Sequence, residues 1–188
     1  MTLEILSRPL SYVDQLESRS TDCINLVVIH CTELPDLDTA RIYGKKEMHV
    51  TSHTGNSGHF YIDRDGSTEE WVPVNRVAHH VRGLNSKSIG IELVNNGRYP
   101  DWFHSGHQQM TEAYPPAQIQ ALISLLNDLT ERLPGLTQIA GHEALDTELI
   151  AADDNPDIMI NRKLDPGVHF PWKDVLSAIS LVQYQVKN

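Results

Sequence analysis

The sequence predicts an α/β fold, a single domain in which a mixed central β-sheet is flanked by helices. Three observations carry this. Two apolar, β-branched runs, Leu26-Val27-Val28-Ile29 and Ser88-Ile89-Gly90-Ile91-Glu92-Leu93, read as buried strands. One stretch places Ile119, Leu122, Ile123, Leu126 and Leu129 at three- and four-residue steps, the period of an amphipathic helix. Between them Asp65-Gly66 separates two strand-like runs, a hairpin turn signal.

Taken in order, residues 1–23 are polar and mixed and are expected to form an N-terminal arm on a domain spanning 24–182, with 183–188 a C-terminal tail. Cys23 to His30 is the first strand, and Thr39 to Met48 has the apolar side of a short helix. Thr51 to Gly58 reads as a loop near the site. His59 to Ile62 and Thr68 to Val74 form the hairpin, and Arg76 to Gly83 is a loop. Ser88 to Val94 is the second buried strand. Residues 95–114 are rich in Gly, Pro, His and aromatic residues without a period, a long insertion of the kind that serves as a lid or docking surface. Pro115-Pro116 opens the long helix and Pro134-Gly135 stops it. Thr137 to Ala140 is a short strand, Glu143 to Met159 is acidic and ends in an Asp-Asp-Asn-Pro-Asp loop, and Trp172 to Val182 is a closing helix.

At 188 residues the chain can bury a core without disulfides. A net charge of -10 argues against a general nucleic-acid or anionic-membrane binder, while leaving room for a local basic cluster. The cysteines, Cys23 and Cys31, lie roughly 26 Å apart on an extended strand, too far for a disulfide between them, and both read as small buried thiols. No apolar run approaches the ~20 residues that span a bilayer, and the first residues lack the pattern of a secretory signal. A cytoplasmic location is the expectation, with a periplasmic or exported role as its alternative; the sequence leaves the oligomeric state open, with a monomer as the guess.

The chemistry gathers around Gly141-His142 and the run Arg162-Lys163-Leu164-Asp165-Pro166-Gly167. His30 at a strand end, His142 after another strand and Asp165 on a turn are ligand types for a catalytic zinc ion with one open position. No local spacing fixes that convergence: a lone strand-end His is often structural, and an Asp before Pro is often a turn residue. Glu92 inside Ile-Gly-Ile-Glu-Leu is either salt-bridged or facing water, or it is a general base whose pKa burial raises. Lys163 is a solvated charge or the group that stabilises an oxyanion.

Six motifs in one order carry a family resemblance: Val28-Ile29-His30-Cys31-Thr32, the His59-Phe60 strand with Asp65-Gly66, Ala78-His79-His80, Ser88-Ile89-Gly90-Ile91-Glu92, Gly141-His142 and Arg162 to Gly167. From about residue 24 to 178 the chain resembles zinc-dependent N-acetylmuramoyl-L-alanine amidases of the AmpD-like branch, relatives of phage amidases and peptidoglycan recognition proteins. The resemblance implies cleavage of the amide between the lactyl group of N-acetylmuramic acid and L-alanine of the peptidoglycan stem peptide. It implies Zn2+ on His30, His142 and Asp165, Glu92 as catalytic base and Lys163 as catalytic cation. Phage-type relatives carry a Tyr two residues before the Phe of the His-Phe strand; here that position is Gly58, which fits a mechanism centred on Glu92.

For the carboxylate-bearing stem peptide, the candidate contacts are Arg162, Arg82, Asn85 and His80. His49, His53, His104, His107 and His169 are not expected to be ligands. The competing functions are a non-catalytic peptidoglycan-binding module, a phage-type lysin acting on intact wall, and a zinc peptidase, for which the sequence offers no His-Glu-x-x-His helix.

Overall fold

Two parallel strands form the spine, β2 (Leu26–Cys31) and β5 (Ser88–Leu93), paired along their whole length. The computed structural model describes residues 4–184. Alternation decides what each strand does. Val27, Ile29 and Cys31 of β2, with Ile89, Ile91 and Leu93 of β5, face one side and join the main core. The other side carries Leu26, Val28 and His30, and Ser88, Gly90 and Glu92, so the polar residues all fall on one face.

Around this pair the sheet is completed by β1 (Ile5–Ser7), β3 (Phe60–Ile62), β4 (Thr68–Glu70), β6 (Gln138–Gly141) and β9 (Val182–Gln183). The order is β1-β4-β3-β5-β2-β6-β9. Only the hairpin β3–β4 is antiparallel, turning at Gly66 with φ 91°. The remaining neighbours are parallel. The mixed sheet expected from the sequence is present.

The long helix α2 (Pro116–Arg132) covers the apolar face with Leu122, Leu125, Leu126 and Leu129, all fully buried. Burying each of these side chains stabilises the fold by roughly 1.5–3 kcal/mol. Gln118, buried near the helix start, donates to the carbonyls of Ile62 and Val94 and so ties α2 to the ends of β3 and β5. The short helix α1 (Leu37–Gly44) starts where Asp36 accepts from the Thr39 N–H at 2.7 Å, an N-cap.

Several expectations are corrected. The segment expected as a surface arm supplies edge strand β1, and its Leu10, Tyr12 and Leu16 are buried in a second core with Trp71; residues 1–3 lie outside the described part. Cys23 is exposed in a turn before β2 rather than buried within a strand. The acidic stretch after residue 142, for which the sequence predicts no element before its loop, holds helix α3 (His142–Leu145) and β7 (Leu149–Ala151), which pairs with β8 (Met159–Asn161) across that loop. The closing helix is shorter than its apolar pattern suggested, ending as α4 (Trp172–Ser177) before the chain pairs along β6 as β9. Gln183, expected in the tail, belongs to that strand, and residues 185–188 of the expected tail lie outside the described part.

Candidate metal centre and active site

The site lies at the C-terminal ends of four adjacent parallel strands, where α/β sheets open a crevice. Register sets it out. Tyr61 on β3 pairs with Glu92 on β5, Glu92 pairs with His30 on β2, and Ile29 pairs with Gly141 on β6. His142 follows Gly141 immediately, so Tyr61, Glu92, His30 and His142 stand in a row across the sheet. Asp165 and Lys163 arrive from the loop that follows β8.

His30, His142 and Asp165 are 3%, 3% and 2% exposed. Asp165 Oδ2 lies 3.0 Å from His30 Nδ1 and 3.1 Å from His142 Nδ1. One potential ligand atom from each falls within 4.8 Å of the others, and among the described residues no other group of His, Cys, Asp and Glu gathers in this way. Asp165 Oδ1 and His142 Nε2 are buried and have no hydrogen-bond partner among the described residues. Orphaned polar atoms at that depth cost free energy that a bound cation would offset. Two imidazoles and one carboxylate, all buried, fit a metal ion. Burial, helped by His142, presses His30 down to about 4, which keeps it in the neutral form that ligates. The imidazoles hold the Asp165 carboxyl well below its ordinary range despite burial. Cys31 faces the opposite side, in the main core, as alternation requires.

Beneath His30, the ring of His80 places Nδ1 3.0 Å from His30 Nε2, and its own Nε2 is 3.2 Å from Ser88 Oγ. That fixes the His30 ring and leaves Nδ1 as the nitrogen that a metal ion could take. Gly90 makes the room, since a Cβ there would meet the His80 ring at 2.6 Å. Both ring nitrogens of His80 are therefore engaged inside the protein.

Glu92 is partly exposed at the floor of the cavity, and burial, with Asp165 nearby, raises its carboxyl to about 8. Lys163 pulls in the other direction and lines the same cavity; among the described residues it forms no ion pair. The cavity measures about 710 Å³, within the usual range for small-molecule sites. Arg82 and Arg162 line one flank and both pair with Glu148, at 2.7 and 3.1 Å, while Arg162 also pairs with Asp146. Asn85 accepts at Oδ1 from the backbone N–H groups of His80 and Val81, stapling the loop that carries them.

Three features escaped the sequence reading. Glu143, next to His142, is a half-buried carboxyl that burial raises to about 7, with its buried Oε2 unpartnered among the described residues. Glu148 neutralises the two arginines. Arg98 and Glu33 form a buried ion pair across the end of β2. Only Glu143 had a local cue, its position beside a candidate ligand.

A compact row of His, Glu and Asp above a parallel sheet is an arrangement that suits metal-assisted hydrolysis. Residues 19–168 match the family described as N-acetylmuramoyl-L-alanine amidase, Amidase_2, and the chain belongs to that family. It is 36% identical over 121 residues to the N-acetylmuramoyl-L-alanine amidase AmiD of Escherichia coli K12, a match covering 59% of this chain and 38% of AmiD. It is also 36% identical over 118 residues to the endolysin of Klebsiella phage KP32, covering 62% of this chain and 74% of the endolysin. The match thus spans well under half of AmiD but most of the phage enzyme. A crystal structure of a selenomethionine derivative of AmpD superposes with a TM-score of 0.67 at 25% identity, covering 95% of this chain and 96% of that one. AmiD in complex with anhydro-N-acetylmuramic acid-L-Ala-D-gamma-Glu-L-Lys superposes with a TM-score of 0.61 at 26% identity, over 83% of this chain and 57% of that one. No helix among the described residues is long and apolar enough to cross a membrane.

Proposed function

We propose that the protein is a zinc amidase that hydrolyses the bond between N-acetylmuramic acid, or its 1,6-anhydro form, and L-alanine of the stem peptide. The observation that carries the reading is the placement of Glu92, a carboxyl held near neutrality, beside three buried ligand-type side chains. Residues 24–182 carry every group proposed for the reaction. His30, His142 and Asp165 hold the zinc, and His80 orients His30. A zinc ion bound there would supply the Lewis acidity that activates water and polarises the scissile carbonyl.

The chain's own groups do the rest. Glu92 accepts the proton of the attacking water as its oxygen bonds to the carbonyl carbon. The Lys163 ammonium donates to the oxygen that gains negative charge. When the C–N bond breaks, Glu92 returns the proton to the leaving amine of L-alanine, and the muramic lactyl group departs as a carboxylate. Arg82 and Arg162 take the stem-peptide carboxylates by exchanging them for Glu148, with Asn85 shaping the loop beneath. A muropeptide fragment is the preferred substrate, in keeping with a cavity bounded on one side by Arg98, Trp102 and Phe103 and with the ligand named for the AmiD complex. Such a fragment suits a cytoplasmic monomer.

The test is hydrolysis of a soluble anhydromuropeptide and of purified sacculi by zinc-loaded protein, with and without chelator. Chelator-sensitive release of free stem peptide from the soluble substrate supports the reading. Binding of muropeptide without release would replace it with a recognition module, and release from sacculi alone with a lysin.

A further inference from the structure

Residues 95–114 lend Arg98, Trp102 and Phe103 to the cavity wall and also tie down the segment that carries Lys163 and Asp165. Arg98, with a side chain 1% exposed, donates from Nε and Nη2 to Glu33 Oε1 and Oε2 at 2.7 and 2.8 Å. Glu33 lies just past β2 with φ 49°, and a Cβ on Gly97 would meet Glu33 Cγ at 2.5 Å, so the bare glycine lets the pair close. Held by that carboxylate, the guanidinium reaches Asn161 O from Nη1 at 3.1 Å and Arg162 O from Nη2 at 3.3 Å. These are the last carbonyls before Lys163. Past the turn, the buried Tyr114 hydroxyl donates to Pro166 O at 2.7 Å, and Met110 packs on Gly167, where a Cβ would meet its sulfur at 2.8 Å.

We infer that Arg98 and Tyr114 are positioning residues, bracing the 161–166 segment from both ends so that Lys163 is held at the reacting carbonyl; this rests on the oxyanion role proposed above for Lys163. A lysine on a free loop would lose much of its value to side-chain and backbone freedom. A fork with a fixed carboxylate on one side can hold two peptide carbonyls on the other, a geometry an ammonium cannot copy. The buried pair thus couples the insertion to the site.

The test is a double-mutant cycle on zinc-loaded protein with a defined muropeptide, using Arg98→Lys, Lys163→Ala and both together, with zinc content measured for each. Arg98→Lys is expected to lower kcat by about ten- to a hundredfold. KM stays within about twofold and zinc content is unchanged. In the Lys163→Ala background the same change costs no more than about twofold, because the group being positioned is gone. Tyr114→Phe, which removes one hydroxyl, is expected to give a smaller loss with the same non-additivity, and it decides the matter if Arg98→Lys does not fold. Equal fold-losses in both backgrounds, or an unchanged kcat, would overturn the inference. Full activity of Lys163→Ala by itself would identify the oxyanion reading as the fault, and the inference would fall with it.

Discussion

His30 and Glu92 are register partners on neighbouring parallel strands, and both project from the face opposite the long helix. The proposed metal ligand and proton acceptor are thereby set side by side by two neighbouring strands of the sheet's centre. Glu92→Gln keeps the shape and removes the base. It is expected to lower kcat by roughly 10²–10⁴-fold with zinc content intact, checked by steady-state hydrolysis and metal analysis of the same sample.

The raised Glu92 carboxyl also makes a stability prediction for metal-free protein. The group rises from its ordinary 4.5 to about 8, so below 4.5 folded and unfolded chains are both protonated. As pH climbs from 4.5 to about 8, the unfolded chain has given up a proton that the folded chain still holds, so stability falls progressively and levels off once the folded group has ionised. Glu92→Gln mimics the protonated form. Its melting temperature should equal the wild type's near pH 4.5 and exceed it at pH 9, by on the order of 2 kcal/mol in stability, discounted because the carboxyl opens to the cavity.

His80 supports His30 without facing the metal position directly. His80→Ala is expected to weaken zinc binding by about 10–100-fold, read by competition against a chromophoric chelator. Asp165→Asn should weaken it further and abolish the rise in melting temperature on adding zinc, since the removed charge lies between both imidazoles.

Gly58, just before β3, has no space for a side chain. A Cβ would meet Glu92 Cγ at 2.8 Å and Gly90 O at 3.1 Å. Gly58→Ala should displace Glu92 and cost about tenfold in kcat, and Gly58→Tyr should cost more instead of adding a second catalytic group. Pre-steady-state hydrolysis by zinc-loaded variants checks this.

What the sequence made legible was whatever alternation and period record. The spine strands, the long helix and the hairpin at Asp65-Gly66 all announce themselves locally, and Glu92 stands out as a carboxylate in an apolar run. The convergence of His30, His142 and Asp165 was visible only through the order of motifs, because it depends on strand register across 135 residues. The Arg98–Glu33 pair, spanning 65 residues, left no local trace. Nor did the pairing of β7 with β8 inside an acidic stretch, or the early end of α4, where an apolar pattern reading as helix also serves a short edge strand. In each case a tertiary contact overrode or supplied what propensity could not.

The most direct test is to hydrolyse a defined anhydromuropeptide in oxygen-18 water with zinc-loaded protein and weigh the products by mass spectrometry. The account predicts a free stem peptide beginning at L-alanine, unlabelled, and a single oxygen-18 in the lactyl carboxylate of the sugar fragment, with both products absent for Glu92→Gln. Cleavage at any other bond, or equal product from Glu92→Gln, would contradict it.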